Sequence, residues 1–284
     1  MKLILVIFFS FFMFCSFYFF SKFFFDFDDI ETEKIENMIE KKEYDFLTEY
    51  LSLKLQKYPD NGVVYYYMGK VFYLKKDYRE ALKYLDISIK MGFPLVQSYN
   101  LKAIIYGDIY SDYVKQKEFA QKSVELDPTD FEGYLIRGRA YFRLGDWQLA
   151  LRDFETAFDI EKDDNILLEK AVTLLKLERF KDAIFILYDL NNKYKNNETV
   201  MFYLFSAYKG AGYYNNAYYM ISKLYDTYKK NIYLKEKTIL LFDMGDYEYS
   251  FSEFDKYLKL TKPNESDMRF YSGIISKIRK FDDK

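Results

Sequence analysis

YLIRGRAYFRLGDWQLALRDFETA, residues 134–157, decides the fold. Tyr134, Gly138 and Tyr141 recur at i, i+4 and i+7, which places them on one face of a first helix. Gly145-Asp146 follows as a turn: glycine suits the positive φ of a helix end, and Asp146 is placed to cap the next helix. Trp147, Ala150, Phe154 and Ala157 then line one face of a second helix. Gly138 and Ala150 lack bulk, so the two helices are expected to approach closely, with Tyr141 and Phe154 filling the space around them.

Outward from this unit the same punctuation recurs. The four prolines, Pro59, Pro94, Pro128 and Pro263, are separated by 35, 34 and 135 residues. Gly69 and Gly138 lie 69 apart, Gly145, Gly212 and Gly245 lie 67 and 33 apart, and Ala81, Ala150, Ala183 and Ala217 lie 69, 33 and 34 apart. Three residue types therefore share one period of roughly 34 residues, the length of a two-helix solenoid unit.

The residues Tyr134, Gly138, Tyr141, Gly145-Asp146-Trp147, Ala150, Phe154 and Ala157 resemble the tetratricopeptide repeat, with Arg137 where that pattern has leucine. Tyr65, Met68-Gly69, Phe72, Asp77-Tyr78, Ala81 and Leu85, followed by Pro94, form a second good copy. Weaker copies run through Ala171, Leu174, Phe180, Ala183 and Leu187, then Leu204, Tyr208, Gly212, Tyr214 and Ala217, then Leu241, Gly245-Asp246-Tyr247, Ser250 and Phe254. Met38, Tyr44, Leu47 and Leu51 suggest a degenerate first copy. Residues 95–130 keep the period through Tyr99, Ala103 and Tyr106, but their turn, Gly107 to Asp112, is abnormal. The resemblance implies an all-α, right-handed solenoid of about seven helix-turn-helix repeats and a C-terminal capping helix. Expected boundaries are a membrane segment at 1–25, a linker and degenerate repeat at 26–61, the solenoid at 62–264 and the cap at 265–284. The cap, Ser266 to Arg279, has a polar face of Arg269, Ser272, Lys277 and Arg279, as a terminal repeat needs.

Leu3 to Phe20 carries no charge in 18 residues, which as a helix is about 27 Å long at ~1.5 Å per residue, close to the ~30 Å hydrocarbon thickness. It lacks a small-x-small cleavage site, and Phe12-Met13-Phe14 ahead of Cys15 does not resemble a lipidation motif. An uncleaved single-pass anchor is the expectation, with secretion after cleavage as the alternative. Lys2 and Lys22 flank the segment and give only a slight bias, toward a body outside the cytoplasm in a bacterial envelope. A cytoplasm-facing adaptor is the other orientation.

Composition narrows the chemistry. The 284 residues include no His and one Cys, so the chain has no His base, no His-paired nucleophile, no intramolecular disulfide and no multi-thiolate metal site. Interspersed charges with a net of −2 offer no nucleic-acid footprint. No phosphate-binding glycine loop occurs, and Gly210-Ala211-Gly212 is a repeat turn. The acidic runs at 26–29, 161–164 and 282–283 lack the spacing of a calcium loop. The expectation is no enzyme, no cofactor, no metal and no small-molecule substrate.

What remains is surface. In stacked helix pairs the first helices line the concave side, and the resemblance implies that this side receives a peptide or helix of a protein partner. The positions flanking the packing residues are Tyr66, Lys70 and Tyr73; Leu135, Arg139, Phe142 and Arg143; Leu168, Val172 and Lys176; and Phe202, Ser206 and Lys209. Aromatic and basic residues together suit a peptide with apolar anchors and some acid. Chaperone-tail binders of that family pair a Lys and an Asn on successive turns of the first groove helix; Tyr66 and Lys70 stand there instead.

Overall fold

The computed structural model describes residues 31–92 and 95–282. The expected membrane segment and Pro94 lie outside them. Fifteen α-helices and no strand occur among the described residues: α1 Thr32–Glu40, α2 Tyr44–Lys57, α3 Gly62–Leu74, α4 Tyr78–Met91, α5 Leu95–Ile104, α6 Tyr113–Leu126, α7 Phe131–Leu144 and α8 Trp147–Ile160, then α9 Asp164–Lys176, α10 Phe180–Lys193, α11 Glu198–Gly210, α12 Tyr214–Tyr228, α13 Asn231–Asp243, α14 Tyr247–Leu260 and α15 Glu265–Asp282. No described helix is long and apolar enough to cross a membrane. The chain divides into two compact units, Met1–Ala140 and Tyr141–Lys284.

The turn inside each helix pair is built on one left-handed residue. Lys42, Lys76, Ser111, Gly145, Glu178, Gly212 and Gly245 all have positive φ and follow one another at 33 to 35 residues. Glycine adopts that conformation without strain, whereas four of the seven are residues for which it is costly. The sequence therefore shows only three of the seven turns by glycine. In three of the seven pairs a side chain caps the next helix: Asp77 accepts from the Glu80 N–H at 3.2 Å, Asp112 from the Lys115 N–H at 3.1 Å and Asp246 from the Tyr249 N–H at 3.4 Å. Asp146 departs from the expectation, because its side chain makes no capping bond. There the Leu149 N–H donates to the Asp146 backbone carbonyl at 3.0 Å, so the first turn is already closed without the carboxylate.

In the Met1–Ala140 unit, Ile35, Met38, Leu47, Leu51, Val64, Met68 and Val71 form one core. Ala81, Leu85, Leu101 and Ile105 form the next. Gly69 allows α3 and α4 to meet: a Cβ there would lie 2.8 Å from Leu85 Cγ and 3.2 Å from the Ala81 carbonyl. The abnormal sequence at 107–112 has a physical form. α5 runs into a π-helix, Ile105–Ile109, and Ser111 makes the turn. A side chain at Gly107 would strike the buried amide of Gln116, 2.1 Å from its carbonyl carbon, so the pair closes around an unsubstituted position.

In the Tyr141–Lys284 unit, a long apolar core runs from Leu151 through Leu187, Met201, Leu204, Phe205, Ile221 and Leu224 to Leu240. Each fully buried Leu or Phe of this kind contributes about 1.5–3 kcal/mol. Ala150, Phe154 and Ala157 are buried as the spacing implies, but Trp147 is exposed. It opens the first turn of α8, where the side chain has no preceding helical turn to cover it. α15 closes this unit. Ile274 is buried with Phe254, Tyr257 and Leu234, and Arg269, Ser272, Lys277 and Arg279 are exposed. Its start carries a reciprocal cap, the Asp267 N–H to Asn264 Oδ1 at 2.9 Å and the Asn264 N–H to Asp267 Oδ2 at 3.0 Å.

Candidate partner-binding face

In the Met1–Ala140 unit, α3 presents Tyr66, Lys70 and Tyr73, and α7 presents Leu135 and Arg139, all half-buried. Tyr66 meets Tyr67 edge-on with ring centroids 5.2 Å apart, and Tyr73 leans on Tyr78 at 5.9 Å. Burial pushes the Tyr66 hydroxyl well above its ordinary range, with Tyr67, Glu36 and Glu132 adding to the effect. Tyr67 is pushed up to about 12 by burial and by Glu36. Tyr73 is raised by burial and by Asp108. All three phenols thus remain neutral donors at ordinary pH. Lys70 is engaged: its ammonium donates to both oxygens of Glu36, one repeat earlier, at 2.8 and 2.9 Å.

In the Tyr141–Lys284 unit, Phe142, Leu168, Val172, Phe202, Ser206 and Lys209 are half-buried, and Arg143 and Lys176 are exposed. Leu168 and Phe202 rest on the long core, Phe202 with its ring 6.0 Å from both Phe205 and Tyr233. Ser206 spends its hydroxyl on the Phe202 carbonyl at 2.9 Å. Lys209 lies 3.6 Å from Asp243 and 3.8 Å from Glu236. Two of the lysines counted as basic surface are therefore facing carboxylates of their own chain.

Spacing alone missed other polar residues of this face. Glu36 stands on α1, and Asn100, on α5, occupies the position of Tyr66 and Leu135 in its own pair. Its signal was the period, hidden by the altered turn after Ile105. Asn100 Nδ2 donates to Asp130 Oδ2 at 2.8 Å and reaches Glu132 Oε2 at 3.4 Å. Among the described residues no group of three His, Cys, Asp or Glu side chains could hold a metal ion.

Comparison with known proteins gives these helices a context. Residues 131–164 match the model of the tetratricopeptide repeat. A stretch of 122 residues, 40% of this chain, is 26% identical to serine/threonine-protein phosphatase 5 of Rattus norvegicus but spans only 23% of that protein. Among solved structures, the C-terminal part of a TPR repeat-containing protein from Cytophaga hutchinsonii superposes with a TM-score of 0.66 at 14% identity, over 84% of this chain and 98% of that one. YrrB, described as a TPR protein with an unusual peptide-binding site, superposes with a TM-score of 0.60 at 13% identity, over 66% and 96%. Residues 131–164 are thus a tetratricopeptide repeat, and the helix pairs around them have the fold of tetratricopeptide-repeat proteins.

Proposed function

We propose that this protein is a non-catalytic scaffold or assembly factor that holds an extended segment or helix of a protein partner on its first-helix face. The observation that carries this reading is the row of half-buried apolar side chains on successive first helices of the Tyr141–Lys284 unit: Phe142, Leu168, Val172 and Phe202. Of these, Leu168 and Phe202 are anchored from beneath by the core and keep one face available, as binding anchors do. Likeness in fold to YrrB, whose description names a peptide-binding site, supports the same reading.

The uncharged run from Leu3 to Phe20 supports tethering to a membrane, and its flanking lysines support a body on the outer side of a bacterial inner membrane. A photo-crosslinking amino acid at Phe142 or Phe202, used in cells, tests the binding face. A discrete adduct from these positions, absent from Lys83 on α4, is the expected outcome. Equal capture from Lys83 overturns it. Protease access tests the orientation: digestion in cells with a permeabilised outer membrane but an intact inner one is expected, and digestion only after the inner membrane is opened overturns an outward-facing body.

A further inference from the structure

Three carboxylates and one ammonium meet on the first-helix face of the Met1–Ala140 unit. Glu36 comes from α1, Lys70 from α3, and Asp130 and Glu132 from the start of α7. Lys70 is the cation whose field reaches Glu132, yet both its short bonds go to Glu36. Asp130 and Glu132 are left with neutral donors: Asn100 Nδ2 serves both, and the Gly133 N–H adds a 3.2 Å bond to Asp130. Glu132 is an exposed residue overall, but its carboxylate end is desolvated; that burial, together with Asp130, raises its pKa.

A second and independent feature points the same way. Asn100 is only 3% exposed, and its carbonyl oxygen is buried with no donor. The amide nitrogen of the same group is bonded into the carboxylate pair, so the unserved acceptor belongs to the same cluster. Leaving such an acceptor without a donor costs about 1–3 kcal/mol. Three acceptor groups in excess of donors, near enough for Glu132 to act on the Tyr66 hydroxyl, form an environment complementary to a cation rich in N–H groups.

We propose that Asp130, Glu132 and Asn100 form a receptor for a basic side chain, an arginine or lysine carried by the partner's segment. This rests on the reading that the first-helix face binds protein, and it reverses the sign expected for the partner at this unit from acidic to basic. The exposed Glu132 is the first of these groups that an incoming cation meets. Glu36 keeps Lys70 from competing.

The test uses the full chain in detergent at about 0.15 M salt, where long-range attraction is screened, with fluorescent hexa-arginine and hexa-glutamate peptides as probes. Hexa-arginine is expected to bind, and Glu132→Gln to weaken it by about tenfold. The exposed variant Glu178→Gln, in the Tyr141–Lys284 unit, is expected to leave it unchanged. Asp130 also caps α7, so Glu132→Gln, which removes no cap, is the deciding variant. A photo-crosslinker at Tyr66 should capture hexa-arginine and one at Lys83 should not. No binding, preference for hexa-glutamate, an equal loss in Glu178→Gln, unchanged affinity in Glu132→Gln, or equal capture from Lys83 each overturns the proposal. Discrete partner adducts from Phe142 and Phe202 alongside any of these results would leave the scaffold reading standing without this receptor. Loss of those adducts as well would remove both.

Discussion

The pair α5 and α6 and the pair α11 and α12 share one period and a left-handed residue in the turn, yet their interiors differ in kind. α5 and α6 bury Ser98, Asn100, Lys102, Gln116 and Ser123 beside Leu101, Ala103, Ala120 and Val124. α11 and α12 bury Val200, Met201, Leu204, Phe205, Ala207, Tyr208, Ala217, Met220, Ile221 and Leu224. The second pair is held by apolar area. In the first, polar groups must find one another, and Asn100 Oδ1 and Ser123 Oγ find no partner. Hydrogen bonds return only about 0.5–1.5 kcal/mol each, less than the burial of one large apolar side chain. The repeat framework therefore tolerates a polar pair without depending on it.

The sharpest way to break this comparison is Phe205→Ala in the apolar pair. The side chain is 2% exposed, and its loss should cost about 3–5 kcal/mol in denaturant unfolding. A cost below about 1 kcal/mol would mean the long core does not hold its unit. Gly69→Leu probes whether close helix approach matters equally in the Met1–Ala140 unit. With Leu85 and the Ala81 carbonyl already at contact, the change should cost about 1–3 kcal/mol, and an unchanged melting curve would remove that contact from the account.

Asp267→Asn tests a polar group on which the fold does depend. Burial pushes Asp267 up, but bonds from Lys235 at 2.6 Å, from the Asn264 N–H and from Tyr257 outweigh it and hold the carboxyl below its usual range. Since the folded value is the lower one, this contribution is complete above the unfolded value of about 3.9 and fades as pH falls through the folded value. The variant should lose about 1–3 kcal/mol at neutral pH. Its deficit should shrink in acid, and a deficit independent of pH would exclude the ionised pair as its source. Smallest is Lys102→Met in the polar pair. Lys102 is 7% exposed beneath Asp86 and sits over the Phe119 ring at 4.4 Å. An apolar replacement of similar length should shift stability by no more than about 1 kcal/mol, in either direction. A loss comparable to that of Phe205→Ala would show that the polar pair is structural after all.

The first helices of the pairs begin at Gly62, Leu95, Phe131, Asp164, Glu198 and Asn231. The roughly 34-residue period places those starts near 62, 97, 131, 164, 198 and 231, and that of the degenerate first copy near 28, four residues before α1 opens at Thr32. That agreement was legible because helical packing writes small and large residues at fixed intervals in the chain itself. The turns at Lys76, Ser111 and Glu178 were less legible, since their backbone takes the left-handed form without the glycine that announces it. The thirteen face residues were placed by the same period, and none of them is fully buried.

What the period could not carry was the state of their charges. Lys70 reads as a free cation until Glu36, 34 residues earlier, is seen bonded to it; Lys209 likewise until Glu236 and Asp243 are beside it. Asn100, Asp130 and Glu132 are spread over 33 residues and share no motif, and they become a cluster only when α7 docks against α5. The sequence by itself determined the helix pairs, their length and the absence of histidine and thiol-pair chemistry, because those follow from local spacing and composition. Only the tertiary structure decided which polar groups neutralise each other and which acceptors stay unserved, because electrostatics depends on distances between repeats that no single repeat contains.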